Sequence, residues 1–210
     1  MPAHRLVIGT TNLKKGRELQ ELLAPFGFEV QTLRETGQTV LDVVEDGDTF
    51  AYNARKKAAE QAVHLGAWVM ADDSGLAVDA LGGRPGVYSA RYAGENATDT
   101  DNNAKLLTEL GDLPLAKRTA HYVCHVAVAD PRGEIRAESA DICRGRIVFE
   151  PAGTNGFGYD PLFEVVEYHQ TFGQLGPLVK AAISHRARAL RSVVPKLLAL
   201  AGRGAWDLNH

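Results

Sequence analysis

Trp68-Val69-Met70-Ala71-Asp72-Asp73-Ser74-Gly75-Leu76 opens a run that continues through Gly82-Gly83-Arg84-Pro85-Gly86 to Tyr92, and the rest of the chain is organised around it. Trp68-Val69-Met70 has strand character, so the two carboxylates are expected where a buried strand gives out into a Ser-Gly turn. α/β folds place their chemistry at such points. Adjacent carboxylates near a core repel unless a cation, a proton or solvent takes up the charge, and a hard divalent metal answers that need. Asp-Asp-Ser-Gly is equally good chemistry for a solvated turn, so the company these residues keep decides between the two.

Upstream, Arg5-Leu6-Val7-Ile8 reads as a strand, Gly9-Thr10-Thr11-Asn12 as a turn, and Leu19, Leu22, Leu23 and Phe26 recur at helical spacing. Thr10, Thr11, Asn12, Lys14 and Lys15 thus bring hydroxyls, an amide and two ammonium groups to the positive end of a helix dipole. That is a phosphate cradle without Walker spacing, although a capped surface helix with solvated lysines accounts for the same residues. Phe28 to Leu33 is a second strand. The connection after it ends in Glu45-Asp46-Gly47-Asp48, and a helix runs from about Thr49 to His64 with Asn53 and Lys57 on one face. Glu45 is either capping charge or a third carboxylate to join Asp72 and Asp73.

Downstream, Asn96 to Leu110 is a helix, and Thr119–Ala129 with Glu134–Val148 forms a long hairpin about the turn Asp130-Pro131-Arg132-Gly133. Ala129 opposite Glu134 puts residue 124 across from residue 139, which leaves Cys143 out of register with Cys124 and both as reduced thiols. His121 and His125 point the same way about 13 Å apart at the usual strand rise, so they read as structural or surface histidines rather than a metal pair. Gly153 to Phe163 packs glycines, Phe157, Tyr159 and Asp160 into a loop. Glycines let a flat ligand approach, an aromatic ring stacks on a base, and an Asp accepts from base N–H groups; an ordinary Gly-rich loop over core aromatics is the competing reading. From Lys180 a final helix runs to about Ala201, with Ser184 as a cap. His185 and Arg186 follow that cap with the wrong charge for the helix dipole, which points to a ligand.

The chain has 210 residues, 45% of them hydrophobic, enough to bury a core in one domain or in one domain with a lobe. A formal net charge of −3 excludes the global basic field that holds a nucleic-acid polymer or an acidic membrane, so an anionic ligand needs a local site. The N-terminal apolar stretch is too short for a signal peptide and no run is long enough for a membrane span, which makes the cytoplasm the expected location.

Five blocks then fall in order: Thr10-Thr11-Asn12-x-x-Lys15; Glu45-x-Gly47-x-Thr49-Phe50-x-x-Asn53-Ala54-x-x-Lys57-Ala58; Ala71 to Tyr92; Gly156-Phe157-Gly158-Tyr159-Asp160-Pro161; and Ser184-His185-Arg186. Together they resemble the inosine triphosphate pyrophosphatase family, also called dITP/XTP pyrophosphatases, which cleave non-standard purine nucleoside triphosphates to the monophosphate and pyrophosphate. The resemblance implies a single catalytic domain over residues 1–210. It assigns the triphosphate to Thr10, Thr11, Asn12, Leu13, Lys14, Lys15 and Lys57, and Mg2+ to Glu45 and Asp73 with Asp72 close by. Asp73 matches the proton acceptor and Ser74 a substrate contact. Phe157, Gly158, Tyr159, Asp160, Lys180, His185 and Arg186 match residues around the base. Thr11 stands where many members have Gly, and Ala187 where Gly is usual; neither change removes a functional group.

The fold this implies is α/β: a long, mixed, twisted central sheet flanked by helices, with a hairpin-bearing second lobe and a cleft between. The partners implied are a small-molecule purine nucleoside triphosphate and a second copy in a homodimer, with no nucleic-acid polymer and no membrane. Two other readings remain at this point. One is a pyrophosphatase for other modified nucleotides on the related Maf-like fold. The other is a non-catalytic nucleotide-binding module that uses Phe157 for stacking, against which the acidic cluster weighs because it repels phosphate without a metal.

Overall fold

Residues 4–206 are described by a computed structural model, and its first element, β1 (His4–Ile8), already divides the packing in two. Leu6 and Ile8 point into one apolar cluster and Val7 into another, as alternation along a strand requires. Helix α1 (Leu13–Leu23) follows, capped by the Asn12 side chain, which accepts from the Lys14 and Lys15 amides. Strand β2 (Phe28–Thr32) pairs parallel with β1. Helix α2 (Phe50–Leu65) starts at a Thr49 cap and ends at Gly66 in the left-handed region. Next come β3 (Val69–Val78), α3 (Asp99–Leu110), β4 (Thr119–Ala129), β5 (Ile135–Ile147), β6 (Phe163–Val165), β7 (Gln170–Thr171), α4 (Pro177–Ile183) and α5 (His185–Gly202). The strands form one seven-stranded sheet in the order β2-β1-β3-β4-β5-β6-β7. β3 is parallel to β1, whereas β5, β6 and β7 are successively antiparallel, so the sheet is mixed as expected.

The chain divides into two compact units, and each is assembled from separated segments. The first holds the described residues up to Asp73, then Cys124–Asp141, and those from Arg188 onward. In it, Trp68, just before β3, and Met70 of β3 join Leu19 and Leu23 of α1 and Val193 and Leu197 of α5. Val69 and Ala71 face the other way, onto Ala54, Ala58 and Ala62 of α2. The three alanines stand four residues apart and present a smooth stripe, which lets the helix lie close to the sheet. Trp206 closes the first face by stacking on Trp68 with centroids 4.2 Å apart, and its Nε1 donates to the Arg5 carbonyl.

The second unit comprises Ser74–Val123 and Ile142–Ala187. Leu76 and Val78 of β3, Leu106 and Leu110 of α3, Tyr122, Phe163 and Phe172 form its core. The capping box of α3, Thr98 with Asp101, satisfies both ends of its first turn.

Three expectations are corrected. β3 does not end at the two carboxylates: it runs ten residues, and the Ser-Gly pair lies inside it. Apolar alternation resumes at Leu76 and Val78, so the ladder passes straight through a polar interruption that a local reading takes for a turn. The final helix is two, because Ser184 adopts an extended conformation between α4 and α5; its Oγ accepts from the Ala187 amide, the cap expected. In the hairpin, the Asp130 amide donates to the Glu134 carbonyl, so the strands close on 130 and 134 rather than on 129 and 134. Cys124 and Cys143 are buried thiols, as expected. Among the described residues no helix is long and apolar enough to cross a membrane.

Candidate active site

In the first unit, the loop between β1 and α1 carries Thr10 to Lys15. Thr10 Oγ1 accepts from the Asn12 amide at 3.2 Å and Asn12 Oδ1 caps the helix, so these side chains shape the loop, while Thr11, Leu13 and Lys14 lie exposed. Beside the loop opens a cavity of about 200 Å³, lined in part by Thr10, Asn12, Gly16, Thr32 and Arg34. Arg34 is a cation that the sequence reading passed over.

Lys57 joins this side of the sheet from α2. Its Nζ lies 2.8 Å from Glu45 Oε2 and 3.5 Å from Asp73 Oδ1, with Asp73 only 5% exposed. Asn53, one turn earlier on the same face, donates from Nδ2 to Asp73 Oδ2 at 3.2 Å. It also bonds the Gly47 amide through Oδ1 and the Gly47 carbonyl through Nδ2, which ties the Glu45 segment to α2. A side chain at Gly47 would run into the Tyr52 ring and the Asn53 amide, so this close approach needs glycine. The sequence showed Asn53 and Lys57 on one face but gave Asn53 no role; its spacing from Lys57 was the available signal.

The structure brings Glu45, Lys57 and Asp73 into contact, with Asp72 on the opposite face of β3 but near enough for its charge to act on Lys57. Successive strand residues point to opposite faces, and Asp72 lies on the α1 face with Lys15 Nζ at 3.9 Å and Cys124 Sγ at 3.9 Å from its Oδ2. Asp72 thus meets Lys15 on one face of β3 while Asp73 meets Lys57 on the other.

Charge sets the behaviour of this cluster. Burial pushes the Asp73 carboxyl above its usual range; Lys57 and Lys15 pull it down, Glu45 adds to the rise, and the Asn53 bond opposes it. Burial alone would lower the Lys57 ammonium, but Asp73, Glu45 and Asp72 around it prevail, and it is held more firmly protonated than usual. Three carboxylates thus face two ammonium groups, an excess of negative charge with hard oxygen donors. Glu45 and Asp73, both drawn to Lys57 Nζ, are hard oxygen donors of the kind that could hold a divalent cation whose shell water and phosphate oxygens complete. Among the described residues no group of three His, Cys, Asp or Glu side chains is gathered to hold a metal.

In the second unit, Asp160 organises the Gly-rich loop. Its Oδ2 accepts from Lys180 Nζ at 2.6 Å and from the Phe157 amide at 2.8 Å, and its Oδ1 accepts from the Tyr122 hydroxyl at 3.3 Å. Asp160 is 2% exposed and bonded on both oxygens, so it shapes the loop rather than offering a bare acceptor to a base edge. Gly156 has φ +76°, and a Cβ there would fall on the Asp160 carboxylate, so glycine is required. Burial and the charge of Asp160 push the Tyr122 phenol well above its usual pKa, which keeps its hydroxyl a donor.

Tyr122 also stacks face to face with His185, centroids 4.6 Å apart, which fixes the imidazole plane. Arg186 is 1% exposed; its Nη2 donates to Ser74 Oγ at 3.0 Å, and its guanidinium lies 5.8 Å from the Phe157 ring centre. Lys180 Nζ lies 4.7 Å from the same ring centre. Phe157, Gly158, Tyr159, Asp160, Lys180, His185, Arg186 and Ser74 are therefore all parts of the second unit. Sequence reasoning missed Tyr122, whose alternating strand pattern carries no hint of its polar partners.

An α/β protein with a Thr-Asn-Lys loop at a helix start, a lysine-bridged carboxylate pair and an aromatic, cation-lined loop belongs to a class built to hold phosphorylated, base-bearing ligands. The comparisons give the family: the model of the Ham1 family matches residues 6–196, and the chain belongs to that family. It is 55% identical over 195 residues to the dITP/XTP pyrophosphatase of Rhodopirellula baltica, covering 93% of each chain. It is 51% identical over 191 residues to the protein of that name from Desulforamulus reducens, covering 90% of this chain and 94% of that one. Among solved structures, the HAM1 protein of Coxiella burnetii matches with a TM-score of 0.83 at 38% identity, over 93% of this chain and 98% of that one. The family and the mixed α/β sheet are those the five sequence blocks indicated.

Proposed function

We propose that this protein hydrolyses non-standard purine nucleoside triphosphates, dITP, ITP and XTP, to the monophosphate and pyrophosphate. The observation that carries the reading is Asp73, a buried carboxylate oriented by Asn53 and Lys57 beside Glu45, in a chain whose relatives are named for this reaction. The whole chain acts as one functional domain, since both units are built from separated segments and β3, β4 and β5 run through both. The reduced thiols agree with a cytoplasmic enzyme, and the family resemblance implies a homodimer.

Glu45 and Asp73 would hold Mg2+, which when bound neutralises phosphate charge. Thr10 to Lys15 and Lys57 bind the triphosphate. Asp73 orients a water against a phosphorus of the α–β linkage and accepts its proton; the bridging P–O bond breaks, and pyrophosphate leaves with the electron pair while Lys15 and Lys57 stabilise its charge. No side chain becomes phosphorylated. On the base side, a 6-oxo purine accepts at O6 where adenine donates, so donors from His185 and Arg186 favour the former. The test is pyrophosphate release from dITP, ITP, XTP, GTP and ATP with and without Mg2+. Fast turnover of the first three with Mg2+ is expected, and no turnover, or ATP as the best substrate, overturns the reading.

Two substitutions separate the roles. Lys15→Ala should lower kcat/KM for ITP, GTP and ATP by one common factor, because an ammonium on phosphate is a point charge that reads no base. Arg186→Ala should reduce ITP and XTP while leaving ATP nearly unchanged, narrowing the ratio by about 1.5–3 kcal/mol, one charge-assisted hydrogen bond. Steady-state kinetics on the two variants checks both, and a uniform loss for Arg186→Ala would move that residue to the phosphates.

A further inference from the structure

We propose that Asp99 and Asn103 of α3 are positioning residues that fix the Gly158 peptide and thereby set how Phe157 and Tyr159 meet the base; this rests on the function proposed above. The two side chains stand four residues apart and so share one helix face. Asp99 Oδ2 accepts from the Gly158 amide at 2.9 Å, and Asn103 Nδ2 donates to the Gly158 carbonyl at 3.0 Å. Both polar groups of a residue with φ +63° are thus held by one helix, an acceptor on the N–H and a donor on the C=O.

The helix is a firm mount. Its first turn is closed by Thr98 and Asp101, Leu106 and Leu110 are buried in the core of the second unit, and Asn102 bonds the Ala93 amide and the Ala90 carbonyl. The loop is tied on either side of Gly158 as well, by the Phe157 amide to Asp160 and by the Tyr159 hydroxyl to the Ser89 carbonyl. The Gly158 amide is taken and its carbonyl direction is set by Asn103, so the contribution of this peptide to the site is geometry, which α3 dictates. Packing alone would favour an apolar residue at 103, because Asn103 Oδ1 is buried without a hydrogen-bond partner; the bond from Nδ2 to Gly158 is what the amide gains there.

The test compares the unsubstituted protein with Asp99→Ala, Asp99→Asn and Asn103→Leu. Pyrophosphate release from dITP, XTP and dATP is measured in saturating Mg2+, and exchange of the Gly158 amide is followed by NMR in the ligand-free protein. Asp99→Ala and Asn103→Leu should raise KM for dITP and XTP about tenfold, the equivalent of one hydrogen bond, with kcat changed by less than about threefold. The Gly158 amide should exchange at least about tenfold faster in Asp99→Ala. Asp99→Asn keeps an acceptor oxygen and should restore most of both properties. Unchanged KM and unchanged exchange would overturn the proposal, as would Asp99→Asn failing like Asp99→Ala, since helix-end charge would then be the operative property. An unsubstituted protein that turns over none of the triphosphates would sink the functional reading instead, and the exchange comparison would decide the clamp alone.

Discussion

Asp73→Asn should lower kcat by about 10³-fold, the order expected when a general base is removed, and should leave the fold intact. Asn has nearly the same shape but neither the charge for a cation nor the lone pair that takes a proton. The stability arm has its own sign. The folded-state pKa of Asp73 is raised, so folding disfavours its ionised form, and above that pKa the protein carries a penalty that disappears as pH falls below the unfolded value. Removing the charge at neutral pH in metal-free buffer should therefore leave Tm unchanged or higher. Calorimetry with single-turnover kinetics measures both, and a variant that keeps most of its rate would strip Asp73 of its role. A lost rate together with a raised Tm would mark the site as a place where function is held at a cost to stability.

Asp160→Ala is the opposite case, a loss of fold before a loss of chemistry. It leaves Lys180 buried beside aromatic rings without its carboxylate and deprives the Phe157 amide and the Tyr122 hydroxyl of their acceptor. Breaking a buried pair from one side costs about 3–5 kcal/mol, which for a chain of this size is a fall in Tm of roughly 10 °C. Asp160→Ala combined with Lys180→Met should lose less than the single change, because no buried ammonium is left behind. Thermal unfolding of the single and double variants checks this; a single variant within about 1 kcal/mol of the parent would mean that water already satisfies Lys180.

What the sequence made legible was chemistry carried by type and spacing. The Thr10–Lys15 loop, the Asn53/Lys57 face, the Ser184 cap and the Thr119–Val148 hairpin follow from periodicity and capping, whereas the long mixed sheet is what the family resemblance implies. What it hid was decided by distant partners. Asp72 and Asp73 read as a pair at a strand end, yet β3 continues through them and sends them to opposite faces, because pairing partners and two cores on either side outweigh local turn preference. Asp160 reads as a base contact, and what the sequence hides is that its oxygens also accept from the Phe157 amide, from Lys180 of α4 and from Tyr122 of β4. Asp99 and Asn103 looked like ordinary residues of a helix start, since nothing local marks a partner 59 and 55 positions away.

The stacking of Trp206 on Trp68 has an optical consequence. These are the two tryptophans of the whole sequence, so every indole photon the protein emits comes from one ring pair in the first unit. Of the six tyrosines, Tyr88, Tyr92, Tyr122, Tyr159 and Tyr168 belong to the second unit and Tyr52 alone to the first. Excitation at the red edge of the absorption band therefore reports on one half of the molecule, and phenol absorbance chiefly on the other. Two chromophores so partitioned turn an ordinary melting experiment into a test of cooperativity: superimposable curves mean that both halves melt as one, and separated midpoints reveal an intermediate with one half still folded.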